Sequence, residues 1–268
     1  LGLLAFVQVD ALFFCMASIV AQPVFFALAA WIMDPLGRPR QFGLGAPLAK
    51  RIMAAGFIIF AAGILLQVNI QLERWYVLSW LGVEPLGHLF LAIMAFTLIQ
   101  LVPTSLDAIF LPSAVRAHSD GDFTALKKTM RRYLGLLLGH ALVAGAAIWI
   151  LGEPILQLLA PRYVPDLAYV YIVAPGALLL SVSSAFALAF SVLLRFRPLL
   201  IAYGVGTVVL ALTFAWFAAI STPLTLVEVS AVRSVGMALT ALLVIAGWWT
   251  STRDAPEFRL GLDARSAD

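Results

Sequence analysis

Arg233 lies ~14 Å inside a long apolar run, at ~1.5 Å of rise per helical residue, and is the most deeply placed basic residue of the chain. Ser230, Ser234 and Thr240 fall near the same helical face. A guanidinium facing lipid at that depth costs at least ~2.5–3.5 kcal/mol, so it must face a cavity, a carboxylate or a bound anion. Asp10, Asp107 and Glu228 are the carboxylates considered for a purely structural pairing; snorkelling to the surface is the other structural reading. A second polar stripe, Thr97, Gln100, Thr104 and Asp107, recurs at one-face helical spacing and is interrupted by Pro103. Such a stripe either lines a polar cavity or hydrogen-bonds neighbouring helices. A third group, in "LLQVNIQLERWYVLSWLG", closes another apolar run: Gln67, Gln71 and Arg74 share one face, Asn69 and Glu73 another. Here Glu73 and Arg74 are expected at the membrane interface, and Gln67 and Gln71 at the mouth of a cavity. These residue types suit noncovalent recognition of a polar or anionic group. They do not form a catalytic constellation.

The elements that must carry them follow from composition. The chain of 268 residues is 63% hydrophobic and 12% charged, with mean hydropathy +1.01. A soluble domain carries roughly twice that charge. Stretches of about 18 residues or more lack any charge, enough to cross a bilayer core. An outer-membrane barrel would instead show short alternating segments. The expected fold is all-α, a polytopic helical membrane bundle with spans near 9–33, 52–73, 86–111, 133–152, 167–194, 199–220 and 225–249. Pro23 is read as a kink in the first. Cys15 is the only cysteine, so no disulfide framework is expected; the three histidines, His88, His118 and His140, are too scattered for a metal cluster. No metal or cofactor is expected, and coupling to H+ or Na+ leaves no mark in the sequence. His140, Ser181, Ser183 and Ser184 read as packing residues, and "HSDGD" as a turn and cap.

Fourteen of the 17 basic residues fall in 34–51, 112–132, 195–197 and the tail from 251, all on one side if the spans alternate. The positive-inside rule then puts the C-terminus in the cytoplasm. The pI of about 9.2 is a topology signal rather than a nucleic-acid footprint, and no nucleic-acid partner is expected. Trp75, Tyr76 and Trp80 at one end, and Trp248 and Trp249 at the other, fit interfacial belts. Segment 122–132 reads as a basic surface helix, capped by Asp122 or Thr124, that feeds the fourth span. The chain opens at Leu1 inside apolar sequence without Met, and reads as the later part of a longer protein.

Three stretches carry a family resemblance: "LERWYVLSWLGVEPLGHLFLAIMAF", "LPSAVRAHSDGDFTALKKTMRRYLGLLL" and "GEPILQLLAPRYVPDLAYVYIVAP". In order and spacing, over roughly residues 45 to 250, the chain resembles the bacterial polysaccharide (O-antigen type) flippases of the multidrug/oligosaccharidyl-lipid/polysaccharide exporter superfamily. Two departures are Glu73 beside Arg74 near the end of a helix, and "AYGVGTVVLALTF" where the family has an asparagine-rich helix. The resemblance implies the second six-helix bundle (52–250) of a two-bundle transporter, preceded by the last helix of the first (1–33) and a linker (34–51), and followed by a tail (251–268). It implies a bacterial inner-membrane flippase for lipid-linked oligosaccharide, with no bond made or broken. Arg233 would then meet the pyrophosphate, with Gln100, Thr104, Asp107, Thr97, Gln67, Gln71, Ser230 and Ser234 around the substrate. Implied partners are membrane lipid, the lipid-linked oligosaccharide, the missing N-terminal bundle, and a polysaccharide polymerase or glycosyltransferases. A cation-coupled drug exporter and a peptidoglycan-precursor flippase are rivals in the same superfamily; a membrane-embedded polysaccharide ligase or acyltransferase is a rival of another class.

Overall fold

The computed structural model describes residues 46–220 and 223–253. The expected span 9–33, its Pro23 kink, Asp10, Cys15 and the last fifteen residues of the tail lie outside the described residues. The chain divides into two compact units, Leu1–Met53 and Ala54–Asp268. The following account concerns the second.

Six long helices occupy the described residues: α1 (Ala46–Trp80), α2 (Val83–Ser119), α3 (Phe123–Leu159), α4 (Leu167–Val192), α5 (Phe196–Ala219) and α6 (Leu226–Arg253). All six contain stretches long and apolar enough to cross a membrane. Short turns make sequential helices antiparallel. Gly82 (φ 97°) turns α1 into α2, and Gly121 (φ 71°) sits between α2 and α3, both in a left-handed conformation that a Cβ would strain. Asp122 caps α3 by accepting from the Ala125 N–H at 2.9 Å. At α6, Glu228 accepts from the Thr225 N–H at 2.8 Å while Thr225 Oγ1 accepts from the Glu228 N–H at 3.3 Å, a reciprocal capping box.

Two sequence expectations are corrected here. The loop expected over 112–132 shrinks to three residues, Asp120–Asp122, because α2 continues to Ser119 and α3 already begins at Phe123. Consequently 122–132 is no separate surface helix; it is the first part of α3. Leu126, Met130, Tyr133 and Leu137 form a buried stripe at spacings of four, three and four, packed with Ala114 and Ala117 of α2. That stripe holds both helices together, and at 37 residues each they run for ~55 Å, well past a ~30 Å hydrocarbon core. Lys127, Lys128, Arg131 and Arg132 lie among these stripe residues, at the same end of the bundle as Arg116, Arg195 and Arg197.

Helix α4 is the most enclosed, packed against α2, α3 and α6, while α5 packs mainly on α6. Small residues let it take that place. A Cβ on Gly176 would stand 2.3 Å from the Ser234 backbone oxygen of α6. Pro175 contributes no N–H, and the next N–H, that of Gly176, is donated to Ser234 Oγ at 3.2 Å. Gly206 of α5 is equally constrained, its notional Cβ falling 2.1 Å from Thr240 Oγ1. Close backbone approach through small residues is how helices associate where lipid offers no hydrophobic drive. Helix α1 is tied to the others by Thr207 Oγ1, which donates to Leu65 O at 2.9 Å, and by Tyr76, stacked on Phe214 with centroids 4.8 Å apart. Gly176→Ala is expected to destabilise the protein by about 1–3 kcal/mol through overpacking, read as a lower thermal midpoint in detergent. Gly145→Ala meets only the flexible Leu178 Cδ1 at 3.3 Å and gains about 1 kcal/mol of helix propensity, so the thermal midpoint is expected to stay level with the parent's or rise slightly.

Candidate functional site

The polar centre of the bundle forms where α1, α2 and α6 meet. Asn69 and Glu73 are four residues apart on α1 and therefore project on one face. Arg233 of α6 reaches them seven residues, ~10 Å, from that helix's start. Its Nη1 donates to the Asn69 backbone oxygen at 2.7 Å and to Asn69 Oδ1 at 2.9 Å. Its Nε stands 3.5 Å from Glu73 Oε2, and its guanidinium lies 5.4 Å from the Phe96 ring centroid of α2. Arg233 and Asn69 are each 1% exposed. Three buried polar atoms here have no hydrogen-bond partner: Arg233 Nη2, Asn69 Nδ2 and Ser230 Oγ.

This geometry corrects the expectation that Glu73 marks the interface. Glu73 is buried and supplies the carboxylate facing Arg233. Asp107 instead accepts from Tyr133 Oη at 2.5 Å, and Glu228 is occupied with the α6 cap. Asp10 lies outside the described residues. The separation of Asn69 and Glu73 from Gln67, Gln71 and Arg74 by helical face was readable in the sequence. The partner on α6 was not.

The remaining sequence candidates are dispersed. Gln100 points inward and donates to Ala177 O of α4 at 3.0 Å. Thr97 and Thr104 donate to carbonyls of their own helix, Ile93 O and Gln100 O, and remain exposed. Asp107 contributes to a cleft of about 280 Å³ with Ser191 and Tyr203. Ser230 is sealed beside Arg233, and Ser234 is engaged with Gly176. Gln67 is exposed and Gln71 half-buried; with Phe60, Ile64 and Trp75 they line a cleft of about 490 Å³ along α1. His140 approaches Ile99 O of α2 at 3.1 Å, a packing contact. One cross-link had no sequence signal: His88 Nδ1 of α2 lies 2.9 Å from Oδ1 of Asp166, the buried residue that precedes α4. Among the described residues no three His, Cys, Asp or Glu side chains gather as metal ligands would.

What this arrangement can do is hold charge without exposing it. The Arg233 guanidinium links α6 to α1 through Asn69 and Glu73 and lies over Phe96 of α2, and two donors are left over for a small acceptor. The described residues define a class, an apolar six-helix membrane bundle, hence a multi-pass membrane protein by helix length and hydropathy. No family model, curated protein or solved structure matches the chain.

Removing one partner of a buried pair costs about 3–5 kcal/mol, whereas replacing both by apolar groups is often neutral. Glu73→Leu alone is therefore expected to lower the thermal midpoint sharply, and Glu73→Leu combined with Arg233→Met to recover most of the loss. A double variant as unstable as the single one would show that the pair is not the source of the clamp.

Proposed function

We propose that this chain forms part of a flippase that moves a lipid-linked oligosaccharide, with its pyrophosphate headgroup, across the bacterial inner membrane by alternating access, with the C-terminus in the cytoplasm. The observation that carries this reading is the position of Gln67 and Gln71. Counting back from Trp80, they lie ~20 Å and ~14 Å inside α1, yet they border an open cleft rather than the packed core. Polar side chains at such depth face a water-filled cavity or another protein surface, not lipid. A cavity completed by a second bundle meets that requirement and offers amide groups to a sugar. The order and spacing of the three quoted sequence stretches support the same family.

Arg233 enters this reading in a changed role. Its engagement with Asn69 and Glu73 suits a residue that sets how α1 and α6 pack at the cavity wall, rather than one free to meet phosphate. The same pairing occupies Glu73, the buried carboxylate that a cation-coupled drug exporter would need for ion exchange. This favours the oligosaccharide reading over that rival.

Solvent accessibility tests it. In a Cys15→Ser background, Gln67→Cys and Gln71→Cys are expected to react with a membrane-impermeant maleimide at least several-fold faster than Leu142→Cys, which replaces a 75% exposed apolar side chain of α3. Equal rates would discard the cavity. Gln67→Leu with Gln71→Leu is then expected to slow translocation of a lipid-linked oligosaccharide in reconstituted vesicles about tenfold or more, without lowering the thermal midpoint; unaltered translocation would discard the substrate assignment.

A further inference from the structure

Arg74 is the second guanidinium within the spans, and its circumstances are opposite to those of Arg233. Among the described residues no carboxylate is in ion-pair contact with it, its Nε is sealed from solvent without an acceptor, and its electrostatic partner there is the adjacent Glu73. Its neighbour Glu73 is turned to Arg233. Beside Arg74 a groove of about 450 Å³ runs along α2, lined by Leu86, Phe90, Ile93, Met94, Thr97 and Leu98. Thr97 is the only other polar residue among the described lining residues, and that hydroxyl already donates to Ile93 O.

The depth of these residues identifies the occupant. Arg74 stands six residues, ~9 Å, before the end of α1, with exposed Trp75 and Trp80 close by in the sequence. Exposed indoles favour the headgroup level of a bilayer. From Leu86 to Leu98 the groove wall descends ~18 Å from that level toward the bilayer centre. Arg74 is thus level with the upper part of the groove, between Leu86 and Phe90, and the apolar channel continues below it along Met94 and Leu98. A guanidinium at this level, with its carboxylate neighbour turned to another arginine, is suited to a headgroup anion, and its planar fork matches phosphate oxygens bidentately. A free anion would leave the apolar channel unfilled, and a zwitterionic lipid would bring its own cation to the guanidinium.

We infer that this groove seats an anionic phospholipid of the bilayer, its phosphate on Arg74 and one acyl chain along Phe90, Met94 and Leu98. The described residues of the site all belong to this bundle, and the site stands whether or not the chain translocates an oligosaccharide.

Native mass spectrometry of the full chain in a neutral detergent tests it, with phosphatidylglycerol and phosphatidylcholine of equal chain length as probes. Phosphatidylglycerol is expected to form a saturable adduct. Arg74→Gln should weaken that adduct roughly tenfold to a hundredfold, as loss of a charge-assisted hydrogen bond predicts, and should leave phosphatidylcholine binding as it was. Arg162→Gln, a change at an exposed basic residue between α3 and α4, should have no effect. Met94→Trp fills the channel and should weaken the adduct with Arg74 intact, which keeps the test open if Arg74→Gln fails to fold. Equal phosphatidylglycerol binding by parent and Arg74→Gln, or by parent and Met94→Trp, would overturn the site. Competition by millimolar inorganic phosphate would replace it with a headgroup-only anion site, and dimer formation in place of lipid adducts would assign the groove to a second copy of the chain.

Discussion

A guanidinium withdrawn from water has to be neutralised and hydrogen-bonded, and the packing of α1 on α6 follows from that demand. Arg233 is sealed in the core, 1% exposed, and turns neither to lipid nor to water. It takes the Glu73 carboxylate and both oxygens of Asn69. These partners lie on one face of α1, so meeting the charge fixes the rotation of that helix. The rotation in turn places Gln67 and Gln71 along an open cleft and leaves Arg74 beside the α2 groove. One buried charge thereby decides which polar residues of α1 are sequestered and which remain available.

The rest of the bundle is arranged by volume rather than charge. Helix α4 is central because its Gly, Ala and Ser positions admit close neighbours; Gly176 touches the α6 backbone, and Ser234 gives its hydroxyl to the N–H that follows Pro175. Gly206 does the same between α5 and α6. In contrast, α3 keeps most of its apolar surface outside the bundle, as a helix bordered by lipid can. The long basic ends of α2 and α3 are held by an apolar stripe that continues beyond the span, so Lys127, Lys128, Arg131 and Arg132 belong to the same rigid helix as the membrane-crossing residues.

Hydropathy and charge-free length are properties of the chain alone, and for that reason the six described spans were legible from them. Helix ends were less legible. Residues 112–121 read as a loop and 122–132 as a separate surface helix, and the buried spacing of Leu126, Met130 and Tyr133 against Ala114 and Ala117 accounts for the unbroken helices on either side of Asp120–Asp122. The polar candidates divide in the same way. Periodicity put Thr97, Gln100, Thr104 and Asp107 on one face, yet Gln100 turns to α4, Asp107 to Tyr133, and the two threonines to their own backbone. Nothing in the separation of residues 88 and 166 announces the His88–Asp166 contact.

What the sequence by itself determined is an apolar, helical chain most of whose described basic residues, all but Arg74, Arg162 and Arg233, gather at one end, and which carries one arginine too deep to be left unpaired. These depend on local composition and on transfer of side chains from water, which need no knowledge of neighbours. Only the tertiary structure decided that Glu73 faces that arginine and Asn69 accepts its hydrogen bonds, that α4 occupies the centre, and that Arg74 has no hydrogen-bond acceptor for its Nε among the described residues. Those outcomes depend on which helices touch and at what rotation, and that is set by close packing summed over the whole bundle.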